Sequence, residues 1–357
     1  MNSTPRRFAF LIHPRVQVAQ DLGDLFWSPL RHLPNSFYET LLRRLPVRPL
    51  VSGRIQLGTE AEGELITVPL SARQLLQLPR PEVQARVKEA VEMARSRGAT
   101  VVGLGALTAP VSDGGRIFAD RTDIGVTNGN AFTAAMTWMG MERILSSIGR
   151  HAHVAIVGAS GSVGSCLVRL LVQKGTCSSM TLVARNLERL EHLKAEVAGQ
   201  DVDIDVTTDM MQVKKADLVV LLTSASDAVL KSEHLKKGAW VLDDTQPRNT
   251  DPTLLTERPD VTVVDGGLVE MTGMRMQGTI GLARNLIYAC LAETLLLSLN
   301  GHQGHFSIGH PTAQQASMML DLAVKHQQFG FRLAPFRSFG RLLEPEVSPE
   351  NLAWQVG

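Results

Sequence analysis

The chain has 357 residues, 44% hydrophobic and 20% charged, ordinary globular usage that excludes disordered and fibrous classes and leaves room for two or three domains. Thirty-six Lys and Arg against 35 Asp and Glu leave a net charge of +1, so no global field draws in nucleic acid or anionic lipid. Three cysteines, Cys166, Cys177 and Cys290, are too few and too scattered for a disulfide framework or a zinc motif.

Along the chain, Arg6–Ile12 reads as a strand. Its apolar part is too short for the core of a secretion signal. Residues 14–75 are punctuated by proline and carry no assignable pattern. Residues 81–97 have a helical charge pattern and 99–102 read as a strand. Asn130–Ile148 reads as a helix, with Met136, Met139, Leu145 and Ile148 on one buried face. From His153 onward, apolar β-branched runs at 154–157, 180–183, 217–222, 240–243 and 261–264 alternate with helical patterns at 161–174 and 186–197. Strands alternating with helices predict a parallel sheet covered on both faces. Two helices are expected at 281–299 and 311–328, the second opening with proline, then a loose tail over 332–357. The best apolar window, 286–299, contains Glu293 and falls short of the about 18 residues a membrane span needs. The fold class expected is therefore α/β: a Rossmann-type doubly wound parallel sheet at 150–275, an N-terminal α/β substrate domain at 1–149, and a C-terminal helical segment at 276–357. A cytoplasmic protein is the corresponding expectation for location.

The turn after the first central strand reads Gly158-Ala-Ser160-Gly161-Ser162-Val163-Gly164. Gly158 permits the tight turn, Gly161 lets the backbone approach a pyrophosphate, and Gly164 lets helix and strand pack closely. The phosphates then face N–H groups at the positive end of a helix. The spacing is G-x-x-G-x-x-G, so the flanking strand and helix carry the assignment more than the pattern does. NAD enzymes usually place a carboxylate at the end of the next strand for the ribose 2′-hydroxyl. Here that strand ends in Ala184-Arg185-Asn186 with Arg189 beyond, which favours the 2′-phosphate of NADP(H). A solvated helix start is the plainer use of these arginines. Thr223-Ser224 and the segment 243–249 close later strands at the ligand edge, and Gly267, after Asp265-Gly266, suits close approach to the nicotinamide end.

Cys290 falls in an apolar stretch, and periodicity alone makes it a small buried hydrophobe. Glu293 and Thr294, three and four positions on, share its helix face, so that face can instead line a cleft, with Glu293 as a base. A carboxylate beside a thiol otherwise opposes its ionisation. His302, His305 and His310 are spaced among glycines that prevent alignment on one helix, so no metal ligands are assigned.

The chain resembles the long-chain acyl-[acyl-carrier-protein] reductases of the cyanobacterial type. The likeness runs through Leu104-Gly105 with Leu107-Thr108, Thr127-Asn-Gly129-Asn130 with Thr133, Val157-Gly-Ala-Ser-Gly161, and 184–190. It continues through 266–270, Ala289-Cys-Leu-Ala-Glu293, and Phe306-Ser307 with Gly309. It covers 98–330 well, 1–97 faintly, and the tail not at all. The resemblance implies that Cys290 is a nucleophile, that NADPH is the hydride donor, and that the substrate is acyl-carrier protein or acyl-CoA. It also implies a divalent-metal requirement, magnesium, and the greasy product suggests transient membrane contact. Two departures are visible: Phe132 stands where the family has histidine, and 301–303 reads Gly-His-Gln where the family has Gly-Trp-His. The 185–186 and 247–248 segments resemble shikimate dehydrogenases and glutamyl-tRNA reductases. An NADP-dependent dehydrogenase of a small polar substrate and a non-catalytic dinucleotide sensor are the alternatives.

Overall fold

Val154–Val157 and Leu218–Leu221 are buried at every position, as strands covered by helices on both faces must be. The computed structural model describes residues 5–14, 32, 34, 48–199, 201–225 and 228–343. The strands are, in chain order, β1 Arg6–Ile12, β2 Leu50–Leu57, β3 Ala61–Thr67, β4 Val101–Leu104, β5 Gly125–Thr127, β6 Val154–Val157, β7 Ser179–Val183, β8 Asp203–Thr207, β9 Leu218–Leu221, β10 Trp240–Asp243, β11 Thr262–Asp265, β12 Leu268–Glu270 and β13 Arg275–Gln277. The short strands β14 Leu286–Tyr288, β15 Arg332–Leu333, β16 Arg337–Ser338 and β17 Arg341–Leu342 follow. The principal helices are α1 Ala72–Gln77, α2 Arg80–Ser96, α3 Asn130–Ile148, α4 Ser162–Lys174, α5 Leu187–Glu196, α6 Ala289–Leu299 and α7 Ala313–Lys325.

The chain divides into two units: residues 1–129, 271–309 and 328–330 form the first, and 130–270, 310–327 and 331–357 the second. This division differs from the three consecutive domains expected from the sequence. Contacts sort by sheet membership, so α6 packs on β1 and β4 while α7 packs on α3 and α4. A split C-terminal segment of this kind leaves no mark in local composition.

The first unit holds a six-stranded mixed sheet in the order β13-β2-β3-β1-β4-β5. β1 pairs parallel with β3 and β4, whereas β2 runs antiparallel to β3 and β13. The second unit holds a six-stranded all-parallel sheet in the order β11-β10-β9-β6-β7-β8. The order reverses at β6, the point where doubly wound sheets bind ligands beyond the carboxyl ends of their strands. The sequence pattern located five of these strands. The sixth, β8, alternates exposed and covered residues at the sheet edge and offers no apolar run to find.

The helix expected at 281–299 is shorter and begins at Ala289. Gly278, Gly281 and Asn285 all take positive φ, which a right-handed helix cannot accommodate, and Leu286–Tyr288 is extended. The expected 311–328 helix starts at Ala313 because Thr312 and Gln315 form a reciprocal capping box. Part of the expected loose tail is ordered: β15 pairs with β12 and β16 with β17. Residues 344–357 lie outside the described ones. No described helix is long and apolar enough to cross a membrane.

Candidate functional site

In the second unit, the glycine turn connects β6 to α4. Gly158 has φ 92°, and a Cβ there would lie 2.8 Å from the Leu222 carbonyl group. A Cβ on Gly164 would lie 2.3 Å from the Gly158 oxygen. Both positions therefore admit only glycine. Gly161 is the N-cap of α4, and no side chain caps the helix start. The first-turn N–H groups are directed at the turn where a phosphate is held in this fold. Ser160, Gly161, Ser162 and Val163 are half-buried around it, and Asn130 Nδ2 donates to Ser162 Oγ at 2.8 Å.

Beyond β7, Arg185, Asn186 and Arg189 are exposed. Asn186 has a structural task as well: its side chain caps α5 by accepting from Arg189 N at 2.9 Å. The strand end itself, 184–186, reads Ala-Arg-Asn, and Glu188 and Arg189 follow in the first turn of α5.

The other half of the carboxyl edge is formed by β9, β10 and β11. Thr223 is tied to Asn249 and accepts from Ala225 N at 3.1 Å, while Ser224 is exposed. Asp243 accepts from the backbone N–H groups of Thr245, Asn249 and Thr250 and from the hydroxyls of Thr245 and Thr250. It thereby organises the loop after β10. Burial raises its pKa, and the Thr245 and Thr250 hydrogen bonds hold that rise back. Arg248 pairs with Asp265, which also accepts from Phe339 N and Gly340 N. Asp244 is different. It is half-buried after the end of β10 and accepts a hydrogen bond from the Thr137 hydroxyl. Burial, with help from the Asp243 charge, pushes its pKa up to about 7. Gly266 and Gly267 lie against it, and a Cβ on Gly267 would fall 2.0 Å from Asp244 Oδ1. Asp244 was not singled out from sequence, because an acid at a strand end looks like turn chemistry until its burial is known.

In the first unit, α6 presents Cys290. Ten of its residues are buried, and Cys290 is the one that is not. Because the helix begins at Ala289, Cys290 sits in the first turn, where the positive end of the helix favours negative charge on sulfur. The other two thiols are different. Cys166 and Cys177 are buried; burial pushes the Cys177 thiol up to about 11, and Cys166 Sγ donates to Thr312 O at 3.4 Å. The loop after β5 approaches Cys290 through Gly129, which has φ 78° and lies so close that a Cβ would be 2.3 Å from the Cys290 Cβ. Glu293 is fully buried and accepts from the Thr127 hydroxyl. Ser307 N donates to that hydroxyl at 3.3 Å, and Ser307 Oγ donates to Asn128 Oδ1 at 2.6 Å. The network fixes residues 127–129 beneath the cysteine. Thr127, Asn128 and Ser307 were visible only as parts of a resemblance.

His305 Nδ1 accepts from Val126 N at 3.1 Å, and His302 stands edge-on to Phe306. Among the described residues no three His, Cys, Asp or Glu side chains come together as a metal site, so the magnesium expectation has no ligand set here.

Residues 141–265 match the family described as Shikimate / quinate 5-dehydrogenase. Aminotransferase PigE of Serratia sp. is 28% identical over 357 residues, 95% of this chain and 41% of that protein. The long-chain acyl-[acyl-carrier-protein] reductase of Synechococcus elongatus is 29% identical over 212 residues, 56% of this chain and 60% of that protein. A glutamyl-tRNA reductase of Hyperthermus butylicus is 28% identical over 155 residues, 43% of this chain and 36% of that protein. The chain thus spans between 36% and 60% of these relatives' length.

Proposed function

We propose that the chain is an NADPH-dependent oxidoreductase that reduces a long-chain acyl thioester to an aldehyde through an acyl-cysteine on Cys290. The observation that carries this reading is the placement of Cys290: the one incompletely buried residue of α6, in the first turn, against a backbone that only glycine permits. A thiol kept for packing alone is usually buried and inert. The reductase of Synechococcus elongatus supports the substrate class. Transamination consumes carbonyl compounds, so similarity to part of a protein named as an aminotransferase agrees with an aldehyde product.

In this reading the Cys290 thiolate attacks the thioester carbonyl, a new C–S bond forms, and the carrier leaves as its thiol. Acyl-carrier protein and acyl-CoA both present the required thioester. Glu293, already accepting from Thr127, is a positioning residue that holds the 127–129 loop. Gly158, Ser160, Gly161, Ser162 and Val163 hold the pyrophosphate, Arg185 and Arg189 the 2′-phosphate, and Asn186 the start of α5. Thr223 and Ser224 would lie along the cofactor's ribose and phosphates, and Gly267 at its nicotinamide end. NADPH supplies the hydride, after which the hemithioacetal on Cys290 collapses to aldehyde and the thiol is restored.

The test is intact-protein mass after mixing with palmitoyl-acyl-carrier protein in the absence of NADPH, with Cys290→Ala beside it. A fatty-acyl increase in the wild type alone, discharged as aldehyde on adding NADPH, is expected. Failure of both acyl-carrier protein and acyl-CoA to leave an adduct, with NADPH still bound, overturns the mechanism. A dehydrogenase of a small polar substrate is the second reading, favoured by the match over 141–265. That match lies within the dinucleotide-binding unit, and this reading predicts that Cys290→Ala stays active.

A further inference from the structure

Asn128, in the first unit, is 1% exposed, and both ends of its carboxamide are engaged. Nδ2 donates to the Gly309 carbonyl oxygen at 3.0 Å and to the Gly114 carbonyl oxygen at 3.1 Å, while Oδ1 accepts from the Ser307 hydroxyl at 2.6 Å. Two donors facing two carbonyl oxygens fix the orientation of the amide, because a flipped group would set its own oxygen against them. Aspartate has the same shape but no donors, and leucine has neither donors nor acceptor. The backbone follows the side chain: Asn128 N donates to Ser307 O at 2.9 Å, and Gly309 N donates to Gly114 O at 2.9 Å. Three segments distant in sequence, around 114, 128 and 307–309, are therefore joined on one buried side chain.

The cysteine helix is seated separately. A Cβ on Gly103 of β4 would lie 2.0 Å from Thr294 Oγ1, so α6 packs directly on that strand. Thr294 Oγ1 in turn donates to the Cys290 carbonyl oxygen at 3.3 Å. The β4–β5 register pairs Gly103 with Thr127, which donates to Glu293. Residues 293 and 294 are thus level with 103 and 127, and Cys290 lies one turn nearer the helix start, where Gly129 meets it. α6 is located by β4 and β5, whereas the backbone that faces Cys290 is carried on the residue just before it, Asn128.

We propose that Asn128 is a positioning residue for the acylation of Cys290. Its carboxamide locks the 127–129 turn to the 114 and 307–309 segments, and so sets where Gly129 stands against the cysteine. This inference rests on the acyl-cysteine reading above. Asn128 moves no proton and touches no reacting atom. The sulfur attacks the thioester carbonyl carbon, the new C–S bond forms, and the carrier leaves as its thiolate, as before. What Asn128 supplies is the geometry of that attack, in which a displacement near 1 Å costs about 100-fold in rate.

Asn128→Ala and Ser307→Ala, singly and together, test this on the full chain. Acylation by palmitoyl-acyl-carrier protein without NADPH is followed in single turnover over a range of carrier concentrations. Asn128→Ala should lower the limiting rate by about 10–100-fold and leave the half-saturating concentration unchanged. Iodoacetamide, a small electrophile that needs no docking, should label Cys290 at the wild-type rate in the same variant, with the buried Cys166 and Cys177 still unlabelled. Ser307→Ala keeps both Nδ2 bonds and the backbone bond to Thr127, so it should show the same split with a smaller loss. It also keeps the test open should Asn128→Ala not fold. The double variant should be no slower than Asn128→Ala alone, because the Ser307 hydroxyl acts through Asn128. A wild-type limiting rate in both single variants, a loss confined to half-saturation, an equal loss of iodoacetamide labelling, or multiplying effects in the double variant overturns the proposal. Amide hydrogen exchange gives a readout apart from acylation: the peptide containing 127–129 should exchange faster in Asn128→Ala, and unchanged exchange overturns the proposal too. Failure of the wild type to acylate with either palmitoyl-acyl-carrier protein or palmitoyl-CoA defeats the reductase reading instead, and the exchange result still decides whether Asn128 holds the turn.

Discussion

Gly129→Ala probes the link between a backbone conformation and the reactive cysteine. The residue has φ 78°, and placing a side chain in the left-handed region costs about 1–2 kcal/mol. The new Cβ would lie 2.3 Å from the Cys290 Cβ and 2.5 Å from its Cα, whereas ordinary contact begins at 3.4 Å. Neither atom is the end of a flexible side chain, so loop and helix start must separate by about 1 Å. Overpacking of this kind costs a further 1–3 kcal/mol or so. A total loss of about 2–5 kcal/mol is expected, read from the midpoint of urea unfolding at unchanged slope. Gly304→Ala is the matched control, because Gly304 has φ 76° but meets nothing within 4 Å. It should show the conformational cost alone. A displacement near 1 Å at a reacting group costs about 100-fold in rate, so the folded Gly129→Ala protein should acylate about 100-fold more slowly under conditions where Gly304→Ala acylates normally. Equal midpoints and equal acylation for the two variants would refute the claim that Gly129 seats Cys290.

Brief alkylation of the native protein should add one adduct, mapped to Cys290 by peptide mass, because Cys166 and Cys177 are buried; prompt labelling of either contradicts the assignment. Arg185→Ala should weaken NADPH binding by about 10–100-fold, the worth of one lost hydrogen bond to a charged group, while leaving NADH binding nearly unchanged; equal losses for both cofactors would remove Arg185 from the 2′-phosphate. Asp244 also carries a stability signature. An acid whose pKa is raised from 3.8 to about 7 on folding costs nothing at low pH. Its cost grows as pH rises from about 4 to 7 and is constant above, reaching at most about 4 kcal/mol for a shift of that size. Asp244→Asn should therefore match the wild type in thermal stability near pH 4 and exceed it above pH 7; identical pH profiles would show that the group is not held neutral.

The dinucleotide sheet was legible from sequence because its signals are local. β6, β7, β9, β10 and β11 are short apolar runs, and Gly158, Gly161 and Gly164 punctuate a strand-to-helix turn in a way only a few backbones require. β8 escaped because an edge strand needs no continuous apolar face. The β2–β3 hairpin escaped because β2 is half-covered over Leu50–Gly53 and its register shifts between Val51 and Gly53, which breaks the alternation.

Cys290 shows where local reading stops. Its neighbours, a run of Leu and Ala, are those of a buried helix, and ten residues of α6 are indeed buried. What separates the cysteine from them is the helix start at Ala289, set by the positive φ of Asn285 and the extended strand that follows it. Periodicity cannot see such a boundary, since both the longer and the shorter helix place the same residues on the same face. Composition, the sheet, the glycine turn and the paired arginines were therefore determined by residues close together in the chain. The chemical standing of Cys290, Glu293 and Asp244 was decided by residues far from them in sequence. Gly129 lies beside Cys290, Thr127 donates to Glu293, and Thr137 shares its hydroxyl with Asp244. A thiol or carboxyl group takes its reactivity from desolvation and from the hydrogen bonds around it, and only the folded chain supplies those.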